Sequence, residues 1–447
     1  MQQNIDQVWP LEGFVQQKNA DSGLKMGFVG LGQGGSKITD AFAGIKRING
    51  EQVYPCIIVN SNKGDMNDLK NIPARFRLPL IGYETGVGKD PDIGRKAFEE
   101  NGSTIFEVIG EEMKDCNIIF VVNSMGGGTG TGAVNILVDA IADFLHVPVA
   151  VITTLPRPNQ VESLNAYNAM VELAPKLNEI RTNEEDDNGY RVLQSLVILD
   201  NEKIVKEHSE APEVKNLTWD LYSNYKVASI LHEWSVLTSL ESAFTLDAAD
   251  LLNHIILAGG VITFAKKKIN LEEVTNNEDL INEIISTYKG RNVLANGFDY
   301  EKDMRSLALV VVLPRDRKDR INQDTLEVIR TRMKVELPNV DVYLGSVTYG
   351  SKTNAIVYTM ANMGGLPERA RNLRTEAETL KKLSEEREKA ASGFDMGGKI
   401  EKKQILNTRA RLTSGNPFDQ VAATSENDSQ LSSNRNRVIK NNPFPKR

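Results

Sequence analysis

The chain has few of the residues that build disulfide frameworks and metal centres. Its 447 residues contain two cysteines, Cys56 and Cys116, and four histidines, none of them at metal-ligand spacing. Both cysteines lie beside or within apolar runs, which is typical of reduced thiols in a core. This pattern argues against a disulfide-stabilised secreted domain and against a zinc site, and we interpret the histidines as structural.

Long apolar runs are also missing. The longest stretches, such as residues 307–313, are far too short to cross a bilayer, and the start MQQNIDQVWP has no apolar run behind a basic one. We therefore expect a soluble, cytoplasmic protein without membrane insertion. The motif GxxxxGK[ST] is absent too, which excludes the P-loop NTPases.

Positive charge is concentrated in the C-terminal tail. The net charge is −7, yet residues 391–447 carry ten Lys and Arg against five Asp and Glu. An acidic body repels DNA over most of its surface, so we expect any nucleic-acid contact to pass through this basic tail or through another protein. Because the tail from 393 onward has little apolar content, we also expect it to be disordered.

Short apolar runs alternate with helical patterns between residues 25 and 200. The runs KMGFVG, PCIIVN, IIFVVN, VPVAVITTL and SLVILD have the length and composition of buried strands. This alternation predicts βαβ units and a parallel sheet covered on both faces. A ligand would then bind at the carboxyl ends of the strands.

A glycine and threonine run, GGGTGTG at residues 126–132, lies between a strand and an apolar-patterned helix. Glycines let the backbone approach an anion, amides at a helix start point toward it, and threonine hydroxyls add donors. The junction therefore predicts a phosphate site. A flexible linker is the alternative, but linkers do not normally separate two apolar elements.

Two more glycine loops are GLGQGG at 30–35 and GVGKDPDIGR at 86–95. The first also satisfies the dinucleotide fingerprint GxGxxG, so an NAD enzyme is an alternative. NAD binding needs an acidic residue at the end of the next strand, where this chain has the asparagines of IIVNSN. We therefore favour phosphate held by several glycine loops, with its charge offset by amides and Mg²⁺.

These loops, in this order, resemble the nucleotide loops of the tubulin/FtsZ superfamily. The segments TLPRP at 154–158 and YSNYKVASILHE at 222–233 are similar to its TubZ branch, which some plasmids and phages encode. The resemblance implies an α/β fold with a Rossmann-like parallel-sheet GTPase domain, joined by a long central helix to a smaller α/β domain. It also implies GTP or GDP and Mg²⁺ as cofactors.

We expect six segments along the chain. They are a helical leader at 1–24, the GTP-binding domain at 25–215, the central helix at 216–242, a second, GTPase-activating domain at 243–365, a long amphipathic helix at 366–392 and the disordered basic tail at 393–447. The apolar seam of the 366–392 helix either packs on its own body or, as the resemblance implies, reaches a neighbouring subunit.

The resemblance implies which residues contact the nucleotide. Glycine-loop backbone holds the α- and β-phosphates, the 86–95 loop senses the γ-phosphate, Glu162 binds the ribose and Asn224 reads guanine. The full predicted set is Gly32, Gln33, Gly34, Gly35, Asn60, Val87, Gly88, Lys89, Gly126, Gly127, Gly128, Thr129, Gly130, Thr131, Gly132, Pro156, Glu162, Asn201, Tyr222 and Asn224. Side chains supply no metal ligand, since Mg²⁺ is held mainly by phosphates and water.

Some of these positions have two interpretations. Tyr222 either stacks on the base or packs in the core. Lys89 stands where FtsZ has a small residue, and it either adds positive charge near the phosphates or points outward. Ala166 replaces an FtsZ arginine that follows the ribose contact.

The segment FTLDAADLLNHI at 244–255 resembles the FtsZ synergy loop, which makes Asp247 and Asp250 the predicted catalytic residues. By themselves these residues could simply cap a helix. By resemblance they position the water that attacks GTP bound to the next subunit, although Thr245 replaces the family's asparagine. The two half-sites then lie at opposite ends of one chain, and head-to-tail stacking makes a filament.

The resemblance implies a filament-forming GTPase, activated by polymerisation, that segregates a plasmid or phage genome. Its partners would be further copies of itself and a DNA-binding adaptor of the TubR type on a centromere-like site, reached through the basic tail, so that DNA contact is indirect. An FtsZ-like cell-division scaffold is the alternative, but the end NNPFPKR bears little resemblance to the apolar peptide that docks membrane tethers. A host tubulin-like filament with another cargo is a third possibility.

Overall fold

The computed structural model describes residue 9 and residues 11–15, 22–183, 186–240, 246–274, 276–290, 292–349 and 353–390. The predicted tail at 393–447 lies outside the described residues, as does most of the leader at 1–24. Within the leader, residues 13–15 form a turn, and Phe14 is fully buried. The predicted helix is therefore not found in the part of the leader that is described.

The described residues form twelve strands and thirteen α-helices. The strands β1 to β12 are Met26–Leu31, Cys56–Asn60, Arg77–Pro79, Ile118–Ser124, Val149–Leu155, Ile180–Asn183, Asp186–Arg191, Ser195–Asp200, Gly260–Asn270, Met304–Pro314, Asp341–Tyr349 and Asn354–Met363. The helices α1 to α13 are Gly32–Ala43, Lys63–Asn67, Pro91–Met113, Thr129–Ala140, Gln160–Leu173, Asn201–Glu210, Trp219–Leu237, Ala248–Asp250, Asn277–Ile285, Tyr300–Asp303, Gln323–Glu336, Glu368–Arg371 and Leu373–Ala390. π-Helical turns at Ile141–Leu145 and Leu251–Ile256 continue α4 and α8.

Ten strands form one sheet, in the order β11-β10-β12-β9-β8-β5-β4-β1-β2-β3. The strands from β3 to β9 in this order pair in parallel, as the apolar runs predict. The strands of the predicted second domain are not a separate sheet, because β9 pairs with β8 over three residues. Strand β12 is antiparallel to both of its neighbours, β9 and β10.

Helices cover both faces of the sheet. Side chains alternate along each strand, so Val29 of β1 joins one apolar cluster and Phe28 joins the other. Helices α3, α4, α5, α9, α11 and α13 contribute to the first cluster, and α1, α6 and α7 to the second. This two-sided burial explains why the central strands are almost uniformly apolar.

The central helix is α7, and it is shorter than the predicted 216–242. Between Tyr222 and Leu237 every side chain except Lys226 is buried. Leu221 is exposed, but from Tyr222 onward the helix is enclosed on nearly all sides. Its 19 residues separate its two ends by roughly 28 Å.

The predicted 366–392 helix is interrupted once, between α12 and α13. Ala370, Leu373 and Ala377 are buried and α13 packs against α5, so this half of the apolar seam contacts the body of the same chain. Beyond Ala377 most side chains are exposed, including Leu383. The described part of the helix therefore docks by its first half only.

Candidate functional site

A cavity of about 880 Å³ opens at the carboxyl ends of the parallel strands. The segments that follow β1, β2, β4, β5 and β8 form its walls, together with the loop before α3 and the start of α7. The predicted contacts that line it are Gly32, Gln33, Gly34, Asn60, Val87, Gly88, Lys89, Gly126, Gly127, Gly128, Thr129, Gly130, Pro156, Glu162, Asn201 and Asn224. Its volume is in the range of cofactor sites.

The glycine loops after β1 and β4 pack directly against each other at the base of this cavity. Gly32 has a φ of +67°, and a Cβ atom there would lie 2.9 Å from the amide nitrogen of Gly130. Helix α4 starts at Thr129, and its N-cap residue, Gly128, offers no side-chain cap. The first-turn amides of α4 are therefore available to an anion at the cavity. At Gly127 a Cβ atom would meet nothing within 4 Å, so this residue faces open space.

Three predicted contacts in the same loops lie outside the cavity lining. A Cβ atom at Gly35 would lie 2.1 Å from the carbonyl oxygen of Val122, and one at Gly132 would lie 2.2 Å from that of Pro91. Thr131 donates its hydroxyl to the Ser124 carbonyl at 3.3 Å. The two glycines thus allow close helix packing, and the structure gives the hydroxyl of Thr131 a backbone partner.

The loop before α3 has an unusual backbone. Gly88 and Lys89 both have a left-handed conformation, with φ values of +62° and +61°. The Lys89 ammonium lies 2.5 Å from the carboxylate of Glu162, the predicted ribose contact. Lys89 is thus directed across the cavity wall toward α5, where its charge is paired.

Asn165 also connects the loop before α3 to the glycine run, and no motif in the sequence predicted this role. Its side-chain amide donates to the carbonyl oxygens of Lys89 at 3.0 Å and Gly126 at 3.3 Å. Asn165 lies one turn after Glu162 on α5 and is buried. One side chain therefore fixes the backbone of two cavity loops.

The cations that line the cavity are all engaged in ion pairs with carboxylates. These pairs are Lys37 with Asp220 at 3.1 Å, Lys89 with Glu162 at 2.5 Å, and Arg157 with Glu202 at 3.2 Å. Burial raises the pKa of Asp220, but hydrogen bonds from Thr218 and Lys37 outweigh it, and the pKa is lowered. Among the described lining residues no cation is in excess, so a bound polyphosphate would depend on amides and on a bound metal ion.

Asp65 lines the cavity, and sequence reasoning missed it. It lies in the first turn of α2, and its carboxylate accepts from the side-chain amides of Gln33 at 3.1 Å and Asn60 at 3.4 Å. A carboxylate is a hard oxygen donor, and its position beside the glycine loops would suit Mg²⁺. The only feature of the sequence that could have indicated Asp65 is its position, five residues after the asparagine that ends β2.

The start of α7 closes the far side of the cavity. Asn224 lines it and is buried. The neighbouring Ser223 also lines it, and its hydroxyl oxygen has no hydrogen-bond partner among the described residues. Tyr222 does not line the cavity, because its ring packs edge-on against Trp9 at 5.4 Å and beside His208 at 5.4 Å. The structure therefore places Tyr222 in the core, the second of its two sequence interpretations.

The predicted catalytic carboxylates lie beyond the other end of α7. Asp247 caps α8 by accepting from the Asp250 amide at 2.7 Å. Asp250 lies 3.9 Å from His254, whose ring stacks on Tyr343 at 5.0 Å. Neither carboxylate lines the cavity, and Asp247 is exposed. Thr245 falls outside the described residues.

Metal-binding clusters and membrane-spanning helices are both missing from the described residues. These contain no group of three or more His, Cys, Asp or Glu side chains that could hold a metal ion. No helix found in them is long and apolar enough to cross a bilayer. Cys56 and Cys116 are free thiols, and burial raises the pKa of Cys116 to about 11.

Comparison with known proteins gives two family matches that do not overlap. Residues 25–183 match the GTPase domain of the tubulin/FtsZ family, and residues 233–374 match the C-terminal domain of tubulin/FtsZ-like, TubZ-like proteins. The tubulin-like protein TubZ of Bacillus cereus is 29% identical over 391 residues, which cover 83% of this chain and 85% of that protein.

Solved structures share the fold. The GTPγS-form protofilament of TubZ from Bacillus thuringiensis serovar israelensis superposes with a TM-score of 0.72 at 22% identity, covering 84% of this chain and 96% of that one. CetZ1 of Haloferax volcanii, a GDP-bound monomer, gives a TM-score of 0.61 at 20% identity, covering 80% and 100%. The chain therefore belongs to the tubulin/FtsZ family, and its GTPase domain is followed by a C-terminal domain of the TubZ-like type.

Proposed function

We propose that the chain binds GTP in the cavity, polymerises head to tail in the cytoplasm, and hydrolyses the GTP at the interface between subunits. The glycine loops hold the phosphates, Glu162 contacts the ribose, and Asn224 reads the guanine edge. Two observations support this assignment. Uncapped amides of α4 face the cavity, and the buried polar groups of Ser223 and Asn224 lie at its far wall.

Mg²⁺ fits the same cavity. Asp65 is the carboxylate beside the phosphate loops, and it would hold the ion together with phosphate oxygens and water. The bound ion would neutralise charge on the phosphates, which the paired cations of the lining leave uncompensated. Gln33 and Asn60 would orient Asp65, since both donate to its carboxylate.

Hydrolysis requires a second subunit. Asp247 and Asp250 lie beyond the end of α7 opposite to Asn224, so one chain cannot bring them to its own cavity without unfolding this helix. In a head-to-tail stack, the exposed Asp247 of one subunit meets the cavity of the next. The two carboxylates then orient a water molecule. Its oxygen bonds to the γ-phosphorus as the bond to the bridging oxygen breaks, the proton passes to a carboxylate, and GDP and phosphate remain.

The polymer provides a way to move DNA. A solved TubZ structure with the same fold is that of a type III plasmid segregation protein. We propose that this chain likewise segregates a plasmid or phage genome. The adaptor that links filament to DNA would bind the basic tail, whose charge differs from that of the acidic body. The exposed half of α13 is available to a neighbouring subunit.

Right-angle light scattering with GTP, GDP and a slowly hydrolysed GTP analogue tests this proposal. We expect scattering that rises with GTP and decays as GTP is consumed. Asp247→Asn keeps the helix cap and removes the charge, so its filaments should form and persist. Asp299→Asn is the matched control, because Asp299 also caps a short helix through its side chain. Intact GTP binding without any scattering would contradict the polymer, and decay in Asp247→Asn at the normal rate would contradict the catalytic role.

A further inference from the structure

A single arginine connects the C-terminal helices to the wall of the cavity. Arg369, on α12, donates to the Asp200 carboxylate at 2.6 Å, to the Pro156 carbonyl oxygen at 2.5 Å and to the Glu376 carboxylate of α13 at 3.2 Å. The side chains of Arg369, Asp200 and Glu376 are between 13% and 19% exposed. The cluster is therefore largely shielded from water, unlike the exposed Arg374–Glu378 pair of α13.

Each contact of this cluster ends on or beside a residue that lines the cavity. Pro156 lines the cavity itself. Asp200 accepts from the Glu202 amide at 3.0 Å and so caps α6, whose first residue, Asn201, is a lining residue.

The third contact leads to the start of α5. Glu376 accepts from the Ser163 hydroxyl at 2.6 Å, and Ser163 directly follows Glu162. Arg369 thus joins the docked half of α13 to the loop after β5, to the start of α5 and to the start of α6.

The charges in this cluster depend on one another. Burial lowers the pKa of Arg369, but the carboxylates of Glu376 and Asp200 outweigh this effect and the pKa is raised. The arginine therefore stays charged at any pH at which the protein folds. Without it, two poorly solvated carboxylates would face each other and the Pro156 carbonyl would lose its donor, which leaves the loop after β5 free to shift.

We propose that Arg369 is a positioning residue for the nucleotide, and that it couples docking of α13 to occupation of the cavity. This inference rests on the proposed binding of GTP and GDP. Arg369 holds Pro156, Asn201 and the start of α5 in the arrangement that contacts the nucleoside. Because coupling between two sites is reciprocal, bound nucleotide strengthens the docking of α13 by the same factor. A partner that pulls on the exposed half of α13 would therefore weaken nucleotide binding.

Binding of a fluorescent GDP analogue tests the first half of the proposal, at protein concentrations where light scattering shows no assembly. Arg369→Gln should weaken binding by about tenfold. Arg374→Gln is the matched control, since Arg374 lies nearby on α13 in an exposed pair with Glu378, and the affinity of this variant should stay within about twofold of the parent. Glu376→Gln leaves Arg369 with Asp200 and Pro156, and it should give an intermediate loss even if Arg369→Gln unfolds.

Hydrogen exchange on the unmodified chain tests the reciprocal half. Saturating GDP should slow amide exchange in residues 368–380, a change that a purely structural arginine would not require. Unchanged exchange there, or normal GDP affinity in folded Arg369→Gln and Glu376→Gln, would overturn the coupling while leaving the GTPase proposal intact. Failure of the parent chain to bind the GDP analogue would instead overturn the proposed function, and this inference with it.

Discussion

Alanine substitutions at two glycines of the same run, Gly132 and Gly127, are predicted to have different effects. Gly132→Ala should lower the stability of the fold, and Gly127→Ala should weaken nucleotide binding. Gly132 lies in α4, and an alanine in a helix normally stabilises by roughly 0.5–1 kcal/mol relative to glycine. Here the added Cβ would lie 2.2 Å from the Pro91 carbonyl oxygen and 2.4 Å from the Arg95 amide nitrogen. Both contacts are backbone atoms of α3, so the two helices must separate. We expect Gly132→Ala to lower the free energy of unfolding by about 1–3 kcal/mol.

Gly127→Ala should leave the fold intact and damage the site. Its backbone does not require glycine and its Cβ would meet nothing within 4 Å, so the free energy of unfolding should change by less than about 0.5 kcal/mol. The methyl group would stand in the cavity and should weaken GDP binding by at least about tenfold, or 1.4 kcal/mol. Urea unfolding followed by circular dichroism and titration with a fluorescent GDP analogue give the two quantities. A Gly132→Ala variant as stable as the parent, or a Gly127→Ala variant that binds normally, would refute this division of roles.

Two further predictions concern the stability of the fold. Burial lowers the pKa of His232 from 6.5 to about 4, so this group stabilises the folded state above pH 6.5 and loses that contribution as the pH falls toward 4. Between pH 7.5 and 5 the free energy of unfolding should fall by about 2 kcal/mol more in the parent than in His232→Gln, measured by urea unfolding, and equal slopes would contradict the assignment. Arg77 donates to the carbonyl oxygens of Met66, Leu69 and Ile72 at 2.7 to 3.0 Å, and a lysine cannot reach all three. Arg77→Lys should therefore cost about 1–3 kcal/mol in the same assay, whereas Arg75→Lys, at an exposed neighbour, should cost less than about 0.5 kcal/mol.

The strand pattern and the glycine loops predicted the sheet and the place of the cavity because both are local signals. Five apolar runs became β1, β2, β4, β5 and β8, and the glycine run became the start of α4. Local pattern does not show what a glycine approaches, and so Gly35 and Gly132 were predicted as phosphate contacts although they allow helix packing.

The sequence did not predict the long-range contacts, because the residues that make them are far apart along the chain. Lys89 and Glu162 are 73 residues apart, and Arg369 is 213 residues from Pro156. Tyr222 was ambiguous because a tyrosine in a helix can either stack on a base or pack in the core, and the contact that places it in the core, with Trp9, is long-range. Family resemblance supplied Asp247 and Asp250, and the structure adds their position beyond the far end of α7.

Each active site is proposed to be built from two subunits, and the GTPase rate of a mixture of two variants tests this most directly. Asp247→Asn has an intact cavity without the carboxylate, and Gly127→Val has the carboxylate with a blocked cavity. Each variant alone should hydrolyse GTP slowly. Random mixing in equal amounts places an intact cavity beside an intact Asp247 at about a quarter of the interfaces, so the mixture should recover about a quarter of the parent rate. A mixture no faster than its two components, although both sediment together in filaments, would contradict a site shared between subunits.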